Sequence, residues 1–243
     1  MAQLGKLVLV FSTLVFLASS MSLALHEDQQ RQPSYIVENI PVEPNLLAAV
    51  LLIPEDMATW VILVGVWITV AGFAIFTMKD LDGERALPPA DIALLSGAFL
   101  CGAVWPWIAY HAPLAGFLVC VIMLIAQIAA ISRRMSDGRL AHSPLIGIIL
   151  GWTTILTFTA FASFIHDAMR MPPELASLVA SVIACVTTMA VQMRMPRNAL
   201  YTITVMFAFL ALSAAMIESA PAIAVISVLS IAALTFLLVR VTT

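Results

Sequence analysis

The chain of 243 residues is 62% hydrophobic and only 10% charged, with a formal net charge of -3. Its mean hydropathy is +1.05, whereas a water-soluble domain carries about 25% charged residues. This composition excludes a soluble protein and indicates an integral membrane protein. The apolar runs are continuous, without the period-two alternation of barrel strands, and they have the length of about 20 residues that a membrane-spanning helix needs. We therefore predict an all-α fold.

Eight apolar runs follow one another along the chain, at residues 6–25, 57–78, 91–110, 113–132, 144–165, 175–193, 199–217 and 220–239. Proline lies near the start of most runs, where its missing N–H costs no hydrogen bond. The sequence predicts a polytopic bundle of about eight transmembrane helices. Its parts are an N-terminal transmembrane helix or signal anchor at 1–25, an outside acidic loop at 26–55 and a seven-helix membrane bundle at 56–243.

The first run allows two interpretations. Lys6, the apolar run after it and the small residues Ala18-Ser19-Ser20 and Ser22-Leu23-Ala24 suit a cleavable signal peptide as well as a retained helix. Cleavage after Ala24 would leave seven helices and an outside N-terminus, whereas retention gives eight helices.

Topology follows from the distribution of Lys and Arg, which accumulate on the cytoplasmic side of membrane proteins. Placing the N-terminus in the cytoplasm puts only Arg31 and Arg170 outside. The other nine cations then lie inside: Lys6, Lys79, Arg85, Arg133, Arg134, Arg139, Arg194, Arg197 and Arg240. We therefore expect a multi-pass protein with both termini in the cytoplasm.

The outside loop contains one apolar stretch, NLLAAVLLI at 45–53. This stretch is too short to span a membrane. It either lies along the membrane interface or re-enters and caps the bundle.

Ionisable and strongly polar side chains are scarce within the eight apolar runs. Ionisable side chains in membrane helices usually mark ion or proton pathways, and the clearest polar residues well inside the runs are the neutral amides Gln127 and Gln192. This pattern disfavours an ion-coupled pump, and we predict no catalytic and no metal-binding residue. Weak support for a membrane enzyme comes only from His111, His166 and Asp167 at outer helix ends. No nucleotide-binding loop or nucleic-acid patch is visible, so no nucleic-acid partner is expected.

The tryptophans are more informative. Trp60, Trp105 and Trp107 map to outer helix ends, as an interfacial aromatic belt would. Trp67 and Trp152 lie deeper, about 11 Å into their helices at 1.5 Å per residue. Trp60 and Trp67 are seven residues apart and share a helix face. Together with Trp105 they form a predicted aromatic wall suited to a flat apolar ligand, the alternative being aromatic packing between helices.

The fifth run combines two faces. Gly147 and Gly151 form a G-x-x-x-G pair, which lets another helix approach closely, either inside the bundle or from a second subunit. Beside this pair, a stripe with helical spacing is formed by Trp152, Leu156, Thr159 and Ser163.

Four stretches carry a resemblance to a known family: ATWVILVGVWITVAGF, AVWPWIAYHAPLAGFLVCVIMLIAQIAAISRR, SPLIGIILGWTTILTFTAFAS and VQMRMPRNALYTITVMFAFLAL. In order and spacing they resemble the long bacterial members of the tryptophan-rich sensory protein (TspO-like) family over residues 54–240. The chain departs from that pattern at Phe207-Ala208-Phe209, where the family often has Trp-Ala-Leu, and at Asn198, where an acidic residue is common.

The resemblance implies a protein of the bacterial inner membrane that binds a tetrapyrrole such as protoporphyrin, or a sterol-like lipid, in an aromatic pocket. By position, the implied pocket residues are Trp60, Trp105, Trp152 and Tyr201, and Trp67 joins them on the depth argument. We expect a binding or sensory protein with no obligatory chemistry. Its partners would be the lipid bilayer and a hydrophobic small molecule, with a porphyrin as the candidate ligand and no other cofactor identified. The alternatives are an accessory subunit of a membrane complex, with a homodimer or a complex partner at the glycine face, and a lipid permease or membrane enzyme.

Overall fold

The chain forms a bundle of long helices in its computed structural model, which describes residues 2–25, 47, 50–51, 57–79, 87–133, 139–196 and 198–242. Within these residues there are eight long helices, one short helix at Arg139–His142 and no strand. The long helices are α1 (Ala2–Leu25), α2 (Met57–Lys79), α3 (Pro89–His111), α4 (Pro113–Arg133), α5 (Pro144–Met169), α6 (Pro173–Arg194), α7 (Ala199–Met216) and α8 (Pro221–Thr242). All eight are long and apolar enough to cross a membrane, which confirms the predicted all-α polytopic bundle.

Proline sets most of the helix boundaries. Helices α3, α4, α5, α6 and α8 all begin at a proline, whose fixed backbone angle suits the first helical position. Helix α5 runs four residues beyond the predicted end at 165, to Met169. It stops there because Arg170 adopts a left-handed conformation, with a φ of 50°, and Pro172-Pro173 follow.

Helix α5 occupies the centre of the bundle. It packs against α2, α4, α6 and α7, and 78% of its most apolar stretch is buried, against 28–56% for the other seven helices. Four buried threonine hydroxyls on this helix each donate to the carbonyl four residues earlier, at 2.8–3.0 Å: Thr153, Thr154, Thr157 and Thr159. Because these hydroxyls are satisfied within the helix, α5 can be both polar in sequence and buried in hydrocarbon.

The two halves of the bundle repeat a packing pattern. In the first half α1 packs on α2 and α3, and α3 packs on α4; in the second half α5 packs on α6 and α7, and α7 packs on α8. Each half has its own hydrophobic core. Helix α5 contributes Leu150, Trp152 and Leu156 to the first core and Ile155 and Ala162 to the second, so it joins the halves.

The glycine pair of α5 faces α7 of the same chain. A Cβ atom at position 151 would lie 2.8 Å from the Tyr201 carbonyl oxygen and 2.9 Å from Thr204 Cβ. A Cβ atom at position 147 would overlap the side-chain amide of Asn198. The amide nitrogen of Asn198 donates to the Ser143 carbonyl oxygen at 3.0 Å. The pair therefore permits a close contact inside the bundle.

The apolar stretch at 45–53 is described only at Leu47, Val50 and Leu51, while residues 26–46 and 52–56 of the predicted outside loop lie outside the described residues. These three residues are helical and at least 91% buried, since their exposed fractions are 3%, 9% and 2%. They pack into the second core, against residues of α5, α6 and α7. These three residues therefore contact the bundle, as a segment that caps it would.

Substituting Gly151→Ala tests the close contact between α5 and α7. We expect a loss of about 1–3 kcal/mol in stability, as for other over-packed sites, because the new methyl group would overlap the α7 backbone. Gly65→Ala is the matched control, since no atom lies within 4 Å of its added Cβ and alanine favours a helix. Thermal unfolding in detergent should show a lower midpoint for Gly151→Ala alone. Equal midpoints for the two variants would contradict the close contact.

Candidate functional site

A small cavity lies where α1, α2, α3 and α5 meet. Its volume is about 20 Å³, and its wall includes Phe16 and Ser20 from α1, Leu63 from α2, Gly102 and Trp105 from α3 and Trp152 from α5. A space of this size holds about one water molecule.

Two of the predicted pocket tryptophans meet at this cavity. Trp105 and Trp152 belong to different helices and are only 5% and 2% exposed. Leu156 lies one turn after Trp152 and also lines the cavity. The first two residues of the stripe predicted on α5, Trp152 and Leu156, therefore face the cavity.

The other two tryptophans lie beside the cavity. The Trp60 and Trp67 rings on α2 contact each other edge to face, with centroids 6.2 Å apart. The Trp67 indole N–H donates to the Ser20 hydroxyl at 3.0 Å, and Ser20 lines the cavity. Trp67 thus reaches the site through a hydrogen bond, whereas Trp60 packs on Trp67.

A second hydroxyl ties α1 to α3. Ser19 donates to the Ala103 carbonyl oxygen at 2.6 Å and accepts the indole N–H of Trp107 at 3.1 Å. Sequence reasoning treated Ser19 and Ser20 only as small residues near a cleavage point and missed this role. The sequence does carry a signal for this role. A buried indole N–H needs a hydrogen-bond acceptor, and the hydroxyls of Ser19 and Ser20 lie at the same membrane depth as the tryptophans of α2 and α3.

Helix α3 contains a proline in the cavity wall, which removes one helical hydrogen bond. Pro106 lies inside the helix and has no N–H, so it cannot donate to the Gly102 carbonyl four residues earlier. Gly102 and Pro106 both line the cavity. The Gly102 carbonyl therefore lacks its usual helical donor, and the Ser20 hydroxyl is the polar side chain of an otherwise apolar wall. The Gly-x-x-x-Pro spacing in CGAVWP carries this signal in the sequence.

Because Gly102 has no side chain, the Phe16 ring can lie directly against the backbone of α3. A Cβ atom at this position would lie 2.7 Å from two ring carbons of Phe16 and 2.8 Å from the Met123 sulfur. The Phe16 ring also contacts Phe99, with centroids 5.7 Å apart. Glycine is therefore required here for the observed packing of α1.

Tyr201 lies away from the cavity, between α5 and α7. It is fully buried, and its hydroxyl is 3.3 Å from the Thr154 hydroxyl oxygen. Nearby, the Thr202 hydroxyl donates to the Gln192 side-chain oxygen at 2.5 Å. These polar contacts connect α5, α6 and α7, so the observed contacts of Tyr201 are those of helix packing.

A second space lies between α5, α6 and α7. It measures about 10 Å³ and is closed by Leu47 and Leu51. The Ser181 hydroxyl lines it and has no hydrogen-bond partner among the described residues. This space is at the lower limit for a single water molecule, and the first cavity is the better candidate site.

His166 and Asp167 lie near the end of α5. His166 Nδ1 lies 2.7 Å from the Met171 carbonyl oxygen, and Asp167 is exposed. The side chain of His111 lies outside the described part of the structure. Within the described residues, no cluster of three or more His, Cys, Asp or Glu could hold a metal ion.

Comparison of the chain with protein-family models, with curated proteins and with solved structures found no match.

Proposed function

We propose that the chain is a binding or sensory protein of the membrane that holds a flat apolar ligand, a tetrapyrrole or a lipid, without obligatory chemistry. The observation that supports it is the meeting of Trp105 and Trp152 at one internal cavity. Ligand sites are typically apolar and aromatic with a few placed polar groups. The Ser20 hydroxyl is such a group, and a pyrrole N–H or a lipid hydroxyl could donate to it. The choice of a tetrapyrrole rests on the resemblance to the TspO-like family.

The size of the cavity limits how such a ligand could bind. Pockets for ligands of this class measure roughly 300–1,000 Å³, whereas the cavity measures about 20 Å³. The ligand therefore requires side chains of the wall to withdraw. Helix α1 is the peripheral element of that wall, since it packs mainly on α2 and α3.

The other roles suggested by the sequence gain no specific support. Gly147 and Gly151 contact α7 of the same chain, so they offer no surface to a second subunit. The aliphatic side chains exposed on the bundle would contact lipid in a bilayer. His166 and Asp167 belong to no metal-binding cluster within the described residues.

For the orientation, we propose that both termini lie in the cytoplasm, with the chain in a bacterial inner membrane. The support is the nine-to-two distribution of Lys and Arg together with an even number of spanning helices. The cavity would then lie in the outer half of the membrane, near the end of α3 that leads into His111.

Titration with protoporphyrin tests the binding site. We expect saturable quenching of tryptophan fluorescence in the wild type and a dissociation constant about 2–10 times weaker in Trp152→Phe, since an aromatic contact contributes roughly 0.5–1.5 kcal/mol. Trp107→Phe is the control, because Trp107 is 60% exposed and does not line the cavity. Absence of quenching, or equal dissociation constants for wild type and Trp152→Phe, would contradict the proposal.

Cysteine labelling tests the orientation. Glu218 follows α7 and Arg194 ends α6, and both are exposed. A membrane-impermeant maleimide applied to intact cells should label Glu218→Cys and should label Arg194→Cys only after permeabilisation. The unsubstituted chain is the control, since its three cysteines lie within helices. The reverse labelling pattern would show that the orientation is wrong.

A further inference from the structure

The Phe16 side chain of α1 fills a groove on the surface of α3. The groove exists because Gly102 has no side chain, and it is bordered by Phe99 on the same helix face. Phe16 is 4% exposed, whereas Phe11 on the same helix is 65% exposed. One face of α1 thus places an aromatic ring in the site, and the opposite face is free to contact lipid.

Helix α1 packs closely on α3 and also on α2, and the hydrogen bonds that fix its position are individually weak. The Trp67 indole donates to Ser20, and Ser19 donates to the Ala103 carbonyl oxygen. Hydrogen bonds between membrane helices contribute little net stability, because separated helices find other partners. No large hydrophobic driving force holds membrane helices together either, since lipid tails are as apolar as the side chains.

We propose that Phe16 is the resident occupant of the ligand site, and that a flat apolar ligand binds by taking its place between Gly102 and Phe99. This inference rests on the proposed function, and it follows from the size of the cavity. The aromatic ring that α1 contributes to the cavity wall is that of Phe16, so one ring of a flat ligand takes this place, while the rest of the ligand requires other side chains of the wall to withdraw. The ligand then packs against Gly102, whose carbonyl oxygen receives no N–H from Pro106.

Competition with an internal occupant weakens the apparent affinity. Suppose that the ligand binds only to molecules in which Phe16 has withdrawn. Its apparent dissociation constant is then the intrinsic dissociation constant divided by the fraction of molecules in that state. Withdrawal of Phe16 would also disturb the Ser20–Trp67 hydrogen bond, because Ser20 lies one helical turn after Phe16 on the same face. Ligand binding would thereby change the position of α1, as a sensory role requires.

Removing the occupant tests the inference in the full-length chain. Phe16→Ala should bind protoporphyrin at least about tenfold more tightly than the wild type, because the competing ring is gone. Phe11→Ala removes the same side chain from the lipid-facing side of α1 and should leave the dissociation constant unchanged. Saturable quenching of tryptophan fluorescence, measured in nanodiscs, reports the dissociation constant of each variant.

A second substitution refills the groove. Gly102→Ala added to Phe16→Ala places a methyl group where the ring was; the clash with Phe16 is gone, and only the flexible Met123 side chain, whose sulfur would lie 2.8 Å from the new Cβ, must shift. The double variant should lose most of the tenfold gain. If Phe16→Ala does not fold, Phe16→Leu replaces it, and it should show a smaller gain in affinity over the wild type.

The outcomes separate this inference from the proposed function. Saturable binding by the wild type with equal or weaker binding by Phe16→Ala, or by Phe16→Leu in its place, overturns the inference and leaves the proposed function standing. The absence of saturable binding in the wild type and in every folded variant overturns both. Tighter binding by Phe16→Ala that Gly102→Ala reverses supports both.

Discussion

The buried threonine hydroxyls of α5 satisfy a constraint on which the whole bundle depends. A polar group buried in hydrocarbon must find a hydrogen-bond partner within the protein, and these hydroxyls bond to carbonyls of their own helix. With its polar groups satisfied internally, α5 can take the central position. It packs against four helices and contributes to both hydrophobic cores. A central helix with unsatisfied hydroxyls could not join the two halves in this way.

The position of α5 in turn places the candidate site. Its glycine face lies against α7, at Gly147 and Gly151, so the adjacent face that carries Trp152 turns towards the first half of the bundle. There Trp152 meets Trp105, and α1 closes the space with Phe16. One wall of the site therefore belongs to the central helix α5, and another belongs to the peripheral helix α1. A ligand that must displace part of the protein can move the peripheral helix without moving the central one.

The apolar runs were sufficient to predict the all-α bundle, because hydrocarbon leaves a helix no alternative to internal hydrogen bonding. The depth of Trp152 predicted an internal position, and its spacing from Leu156 predicted the face that lines the cavity. Spacing along one helix could not show which neighbour that face meets. Tyr201 was therefore assigned to the cavity by resemblance but contacts Thr154 instead. The contact between Phe16 and Gly102 joins residues 86 positions apart, and no local pattern predicts it.

The central claim is that the aromatic cavity beside Gly102 is the ligand site. This can be tested by electron cryo-microscopy of the full-length chain in nanodiscs saturated with protoporphyrin. We expect ligand density between Trp105 and Trp152, with the Phe16 ring withdrawn from Gly102. Ligand density confined to the lipid-facing surface, with the Phe16 ring still against Gly102, would contradict it.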